Sequence, residues 1–137
     1  ETLFQRIHKT AQAKRVSNGI PKTPDNLDLK GDDEFTAALE KKTFLFAFFY
    51  APRCPFCAQM MPEWDDLAVR SISKSHGMED VTIAKVDCTV SVNRRICKEQ
   101  SIRGVPTIRL FKNGRWDRPD YRGLHRQGKQ WLPLPGA

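Results

Sequence analysis

The chain has 137 residues, 39% of them hydrophobic and 28% charged, which suits one globular domain and leaves no room for two. The longest apolar run, Phe44 to Ala51, is strand-sized and falls well short of the roughly 18–20 residues a membrane helix needs. The formal charge of +7 gathers at the two ends: Arg6, Lys9, Lys14, Arg15 and Lys22 oppose Glu1, and Arg109, Lys112, Arg115, Arg118, Arg122, Arg126 and Lys129 oppose Asp117 and Asp120. Such ends favour an acidic protein partner or a larger assembly. A solvated basic face needs no ligand, and no stacking platform or nucleic-acid motif accompanies the charge, so specific nucleic-acid binding is not expected.

Residues 1–24 read as a basic arm outside the domain. A helix over Thr2 to Val16 would be stopped by Ser17-Asn18-Gly19, and Pro21 and Pro24 give an extended linker. The arm has no apolar segment of the secretory-signal kind. Asn26 to Lys30 predicts a short strand, Gly31-Asp32-Asp33 a turn and N-cap, and Glu34 to Lys41 a helix burying Phe35, Ala38 and Leu39. Thr43 to Tyr50 is apolar on both sides, as a central strand covered on both faces would be. From Pro55 to about Lys74 an apolar stripe of Met60, Met61, Trp64, Leu67, Ala68 and Ile72 predicts a long helix, kinked at Pro62. Val81 to Asp87 alternates as a second central strand, with Lys85 the polar member of one row, and Val90 to Gln100 predicts a helix. Thr107 to Phe111 is a third strand, Lys112-Asn113-Gly114 a hairpin turn, and Arg115 to Tyr121 an edge strand that tolerates Pro119. Leu124 to Leu132 is a weak helix interrupted by Gly128 and ended by Pro133, and Trp116 and Trp131 are placed to cover the open edge. The order β-α-β-α-β-α-β-β-α is that of an α/β domain with early parallel strands and a closing antiparallel hairpin.

The four cysteines are too few for a disulfide-built scaffold, and they form two pairs, Cys54/Cys57 and Cys88/Cys97. Phe49-Tyr50-Ala51-Pro52-Arg53-Cys54-Pro55-Phe56-Cys57, followed by Met61-Pro62-Glu63-Trp64, resembles the active-site strand and helix of protein disulfide isomerase domains. Val86-Asp87-Cys88-Thr89, Cys97, Ile102-Arg103-Gly104-Val105-Pro106-Thr107, Phe111-Lys112-Asn113-Gly114 and the closing Tyr121 and Gly123 match the second half of such domains. The resemblance runs from about Asn26 to Gly123 and implies a thioredoxin fold, a central mixed β-sheet flanked by helices.

Thiol–disulfide exchange needs an attacking thiolate and a second thiol close enough to release the mixed disulfide. Two residues between cysteines in a first helical turn supply that proximity. Cys54 at the helix start meets unsatisfied N–H groups and the positive end of the dipole, so it is assigned as nucleophile and Cys57, one turn deeper, as resolving thiol. The competing reading of Cys54/Cys57 is half a zinc site. Structural zinc ligands usually sit about two to four residues apart, which the second pair does not match, so no metal and no cofactor are expected. The resemblance further implies a cis Val105–Pro106 bond against the cysteine pair, with the Val105 backbone free to pair with an extended substrate beside Arg53 and Phe56. It also implies a structural disulfide between Cys88 and Cys97, the alternative being two buried free thiols.

The pattern departs from the family in places. Phe48 stands where the family carries a buried acid that accepts the resolving thiol's proton. Pro55-Phe56 replaces Gly-His between the cysteines, and Arg53 replaces an aromatic residue. His125 stands where the family has an arginine. The expectation is therefore a domain over residues 25–132 with a tail over 133–137, acting as a thiol–disulfide oxidoreductase on proteins bearing disulfides or thiols, in the endoplasmic reticulum lumen or another oxidising compartment. The alternative is a slow or inert module of the same fold docked in a larger assembly.

Overall fold

A computed structural model of the chain describes residues 5, 26–72, 80–121 and 132–134. The strands are β1 (Asn26–Asp28), β2 (Phe44–Tyr50), β3 (Val81–Asp87), β4 (Gly104–Val105), β5 (Thr107–Lys112), β6 (Arg115–Trp116) and β7 (Leu132–Pro133). The helices among the described residues are α1 (Gly31–Lys41), α2 (Pro55–Ile72) and α3 (Arg94–Glu99), with a 3-10 turn at Ser91–Asn93. Apart from Gln5, which is helical, the arm lies outside the described residues, as do Trp131, His125 and most of the expected helix at 124–132.

A five-stranded sheet has the order β1-β3-β2-β5-β6, with β1 and β2 parallel to β3, and β5 antiparallel to both β2 and β6. The doubly apolar run of β2 lies at its centre, where both faces are covered, and Leu45 to Tyr50 are all buried. Alternation along β2 sends Phe46, Phe48 and Tyr50 to one face and Leu45, Ala47 and Phe49 to the other. Trp64 of α2 packs on Phe46 and Phe48, ring centroids 5.1 and 5.2 Å away, while Phe35 of α1 meets Phe49 and Phe111 at 6.3 and 5.9 Å. Truncating a buried aromatic of this kind costs about 3–5 kcal/mol, so these rings fix how each helix lies on the sheet. The stripe of α2 buries Met60, Trp64, Leu67 and Ala68 as expected, and the helix runs through Pro62.

Helix α1 starts earlier than expected. Its first residue is Gly31, at φ +86°, and the preceding Lys30 contributes no side-chain cap. The cap comes from Asn93, whose Oδ1 accepts the Gly31 N–H at 2.8 Å across 62 residues of sequence. The fully buried Asn93 also donates through Nδ2 to the carbonyls of Leu29 and Asp87, at 3.1 and 3.0 Å. This explains why the expected helix at 90–100 divides: a 3-10 turn aims Asn93 inward before α3 begins.

The hairpin turn forms as read, with Asn113 at φ 51° and Gly114 at φ 81°, the left-handed pair of a type I′ turn. The edge strand expected over 115–121 is only Arg115–Trp116 plus a lone bridge from Tyr121 to Ile108. Pro119 has no N–H for a ladder, and Asp120 pairs with Arg109 instead. Arg109 is 3% exposed, donates through Nε and Nη2 to the Asp120 carboxylate at 2.9 and 3.2 Å and through Nη1 to the Gln100 carbonyl at 2.6 Å, and lies over the Trp116 ring. At the other end, Leu132–Pro133 pairs antiparallel with Gly104–Val105. Residue 132 is therefore extended rather than helical, and β7 straddles the expected boundary between domain and tail.

Candidate active site

Strand β2 ends at Tyr50, and a turn closed by the Cys54 N–H to the Ala51 carbonyl (3.1 Å) delivers Cys54 to the start of α2. Pro55 opens the helix at the one position where its missing N–H costs nothing. No acidic residue occupies the first turn, so the positive end of the helix is unopposed beside Cys54. Both Cys54 and Cys57 are unbridged, and both are buried. The Cys54 sulfur lies 3.8 Å from the Val105 carbonyl oxygen, and the Val105–Pro106 peptide is cis. Thr107 Oγ1 donates to the Gly104 carbonyl at 2.7 Å and holds this loop closed. Residues far apart in sequence, 54 and 105, thus meet at one end of the sheet.

Burial pushes the Cys57 thiol up to about 12; a hydrogen bond from the Ala51 backbone pulls the other way, and the hydrogen bond and charge of Cys54, then the charge of Asp87, add to the rise. Cys57 therefore keeps its proton at neutral pH. Tyr50 is raised well above the ordinary phenol range by burial, with Asp28 and Asp87 adding.

Cys54, assigned as nucleophile from the sequence, is 0% exposed, while Arg53 and Pro55 on either side are exposed. One expectation needs correction. The Val105 backbone, expected to be free, belongs to a fully buried residue paired with Leu132. An open strand edge takes whatever extended segment can reach it, and here the chain supplies one. Of the other residues assigned to substrate contact, Arg53 is exposed, Phe56 is half-buried against the core and Pro106 is buried.

Phe48 is fully buried against Trp64 and Tyr50, with Lys85 directly opposite it on β3. The lysine draws its counter-charge from α2, Nζ lying 3.5 Å from Asp65 Oδ1. Sequence reading marks Lys85 as the polar member of its strand row and passes over Asp65. Cys88 and Cys97 are joined as a disulfide (S–S 2.14 Å), and the Cys88 N–H donates to the Tyr50 carbonyl at 2.9 Å. The second cysteine pair is thereby anchored to the strand that leads into the first. Among the described residues no cluster of His, Cys, Asp or Glu is placed to hold a metal ion, and no helix is long and apolar enough to cross a membrane.

A mixed sheet with paired thiols at a helix start and a Val-Pro loop against them defines a thioredoxin-fold dithiol domain. The chain belongs to the thioredoxin family, whose model matches residues 27–130. It is 41% identical over 86 residues to a thioredoxin domain-containing protein 5 homolog of Drosophila melanogaster, covering 63% of this chain and 20% of that protein. It is 29% identical over 122 residues to protein disulfide isomerase-like 1-1 of Arabidopsis thaliana, covering 89% of this chain and 24% of that one. The chain thus spans about a quarter or less of these relatives' own length. Among solved structures, a thioredoxin from Halobacterium salinarum superposes with a TM-score of 0.52 at 25% identity, over 72% of this chain and 79% of that one. Human ERp44 superposes with a TM-score of 0.56 at 26% identity, over 66% of this chain and 26% of that one.

Proposed function

We propose that this domain exchanges disulfides with protein substrates through Cys54 and Cys57. The Cys54 thiolate attacks a substrate disulfide, forming a mixed disulfide and releasing one substrate thiolate. Cys57 then loses its proton and attacks Cys54, leaving the Cys54–Cys57 disulfide and a fully reduced substrate. Two electrons pass to the substrate, and the reverse sequence oxidises it. The observation that carries the reading is the Cys54 sulfur at the start of α2, 3.8 Å from the Val105 carbonyl. The kinship with protein disulfide isomerases supports protein substrates. The Cys88–Cys97 disulfide supports an oxidising compartment such as the endoplasmic reticulum lumen.

In an insulin-reduction or scrambled-substrate refolding assay, Cys54→Ser should lower the rate by at least about 100-fold, because a nucleophile cannot be supplied from elsewhere; an unchanged rate rejects the reading. The full burial of Cys54 favours a second reading, a module that keeps the fold and docks on a partner through its basic surface. A redox titration separates the two. A pair poised near about −270 mV acts as a reductant, one near about −180 mV as an oxidase or isomerase, and a pair inert to glutathione and dithiothreitol is a module.

A further inference from the structure

We propose that Leu132–Leu134 is an autoinhibitory strap, an extended segment of this chain lying on the strand edge that a substrate must use. The inference rests on the exchange reading and concerns access to the same site. Val105 is paired with Leu132 and Gly104 with Pro133, and the Leu134 N–H donates to the Arg103 carbonyl at 2.8 Å. This is the loop whose Val105 carbonyl lies against the Cys54 sulfur. An incoming extended peptide and the strap need the same backbone groups of Val105, so they exclude each other. Cys54 is buried while its chain neighbours Arg53 and Pro55 are exposed.

The strap is built to be displaced. It is a two-residue ladder with one further hydrogen bond at Leu134, and Leu132 remains 42% exposed. Leu134, half-buried against the core, is its apolar anchor. So short a pairing is marginal by itself and holds because the segment is tethered, its effective concentration at the edge exceeding that of a dilute substrate. Disulfide exchange is then gated: the strap leaves, the substrate strand takes its place, and the sulfur is uncovered in the same movement.

The test measures alkylation of Cys54 by iodoacetamide in the reduced full chain, with the modified site read by mass spectrometry. Deleting residues 132–137 should raise the rate at least about tenfold. L134P, which removes the hydrogen bond to the Arg103 carbonyl, should raise it about fivefold, the equivalent of one backbone hydrogen bond. A synthetic Trp-Leu-Pro-Leu-Pro peptide added to the deleted chain should slow alkylation again. Far-UV circular dichroism checks folding, and should the deletion unfold the chain, L134P decides. Unchanged alkylation in a folded variant overturns the strap. Because alkylation reads only access to the sulfur, it judges the strap even in a chain with no exchange activity; an active chain with unchanged alkylation loses the strap and keeps its function.

Discussion

The two cysteine pairs occupy the same end of the same sheet and meet different fates. Cys54 comes after β2 and Cys88 after β3, the neighbouring strand, and the Cys88 N–H is bonded to the last carbonyl of β2. Past Cys54 the chain enters a helix at once, so the next cysteine lies one turn away, and the Cys54 sulfur sits against the Val105 carbonyl. Past Cys88 the chain first makes a 3-10 turn, and the partner cysteine returns from α3 with the Cα atoms 5.9 Å apart. The first pair borders the edge that Leu132 occupies; the second borders Asn93, which ties three segments together. Position in the sheet is thus shared, and the element entered after each strand leaves one pair as free thiols and joins the other in a disulfide.

That contrast can be broken most strongly at Asn93. Replacing it with Ala leaves the part-buried Gly31 N–H and Asp87 carbonyl and the buried Leu29 carbonyl without their partner. It should lower unfolding free energy by about 3 kcal/mol, read by urea denaturation, while alkylation of Cys54 in the folded state stays within about threefold. Converting both Cys88 and Cys97 to Ala should cost about 2–3 kcal/mol, the chain-entropy value for a short loop closed by nine residues of separation. The same variant should keep the Cys54/Cys57 reduction potential, measured against glutathione, within about 30 mV, the equivalent of about 1.4 kcal/mol. A larger shift would mean the two pairs are coupled.

The smallest effect at neutral pH becomes visible in alkali. Cys57 in the folded, reduced chain holds its proton to about 12, above its ordinary value of 9.0. Over that window the unfolded state binds fewer protons than the folded one, so stability falls as pH rises from about 9 towards about 12 and is fully present below it. Tyr121, raised by burial to about 12, and Tyr50, raised further, add the same sign. Cys57→Ala should therefore flatten the alkaline slope in part, with no change in slope below pH 8, measured by denaturant titration at a series of pH values.

Much of the frame was legible because its signals are local. An apolar run without alternation marks a strand covered on both faces, and Asn113-Gly114 marks a turn whose left-handed dihedrals those residue types tolerate. The stripe from Met60 to Ala68 marks which side of α2 faces the sheet. At the site, the spacing of Cys54 and Cys57 and the Val105–Pro106 segment singled out the residues that the fold brings to one end. What local reading missed was the pairing of a side chain or strand with something distant. Asp65 answers Lys85 from another element, and beyond Trp116, where the edge strand stops, Asp120 pairs with Arg109.

By itself the sequence determined the α/β order, the central strand, the hairpin and the helix that begins beside Cys54, since periodicity and turn chemistry act over a few residues. Tertiary structure alone decided that Asn93 caps a helix 62 residues away. It also decided that Leu132 closes the edge at Val105, and that Cys54 lies buried between exposed neighbours. Backbone hydrogen bonds and burial are satisfied by whichever group is nearest in space, and nearness across a folded chain is written in no short stretch of it.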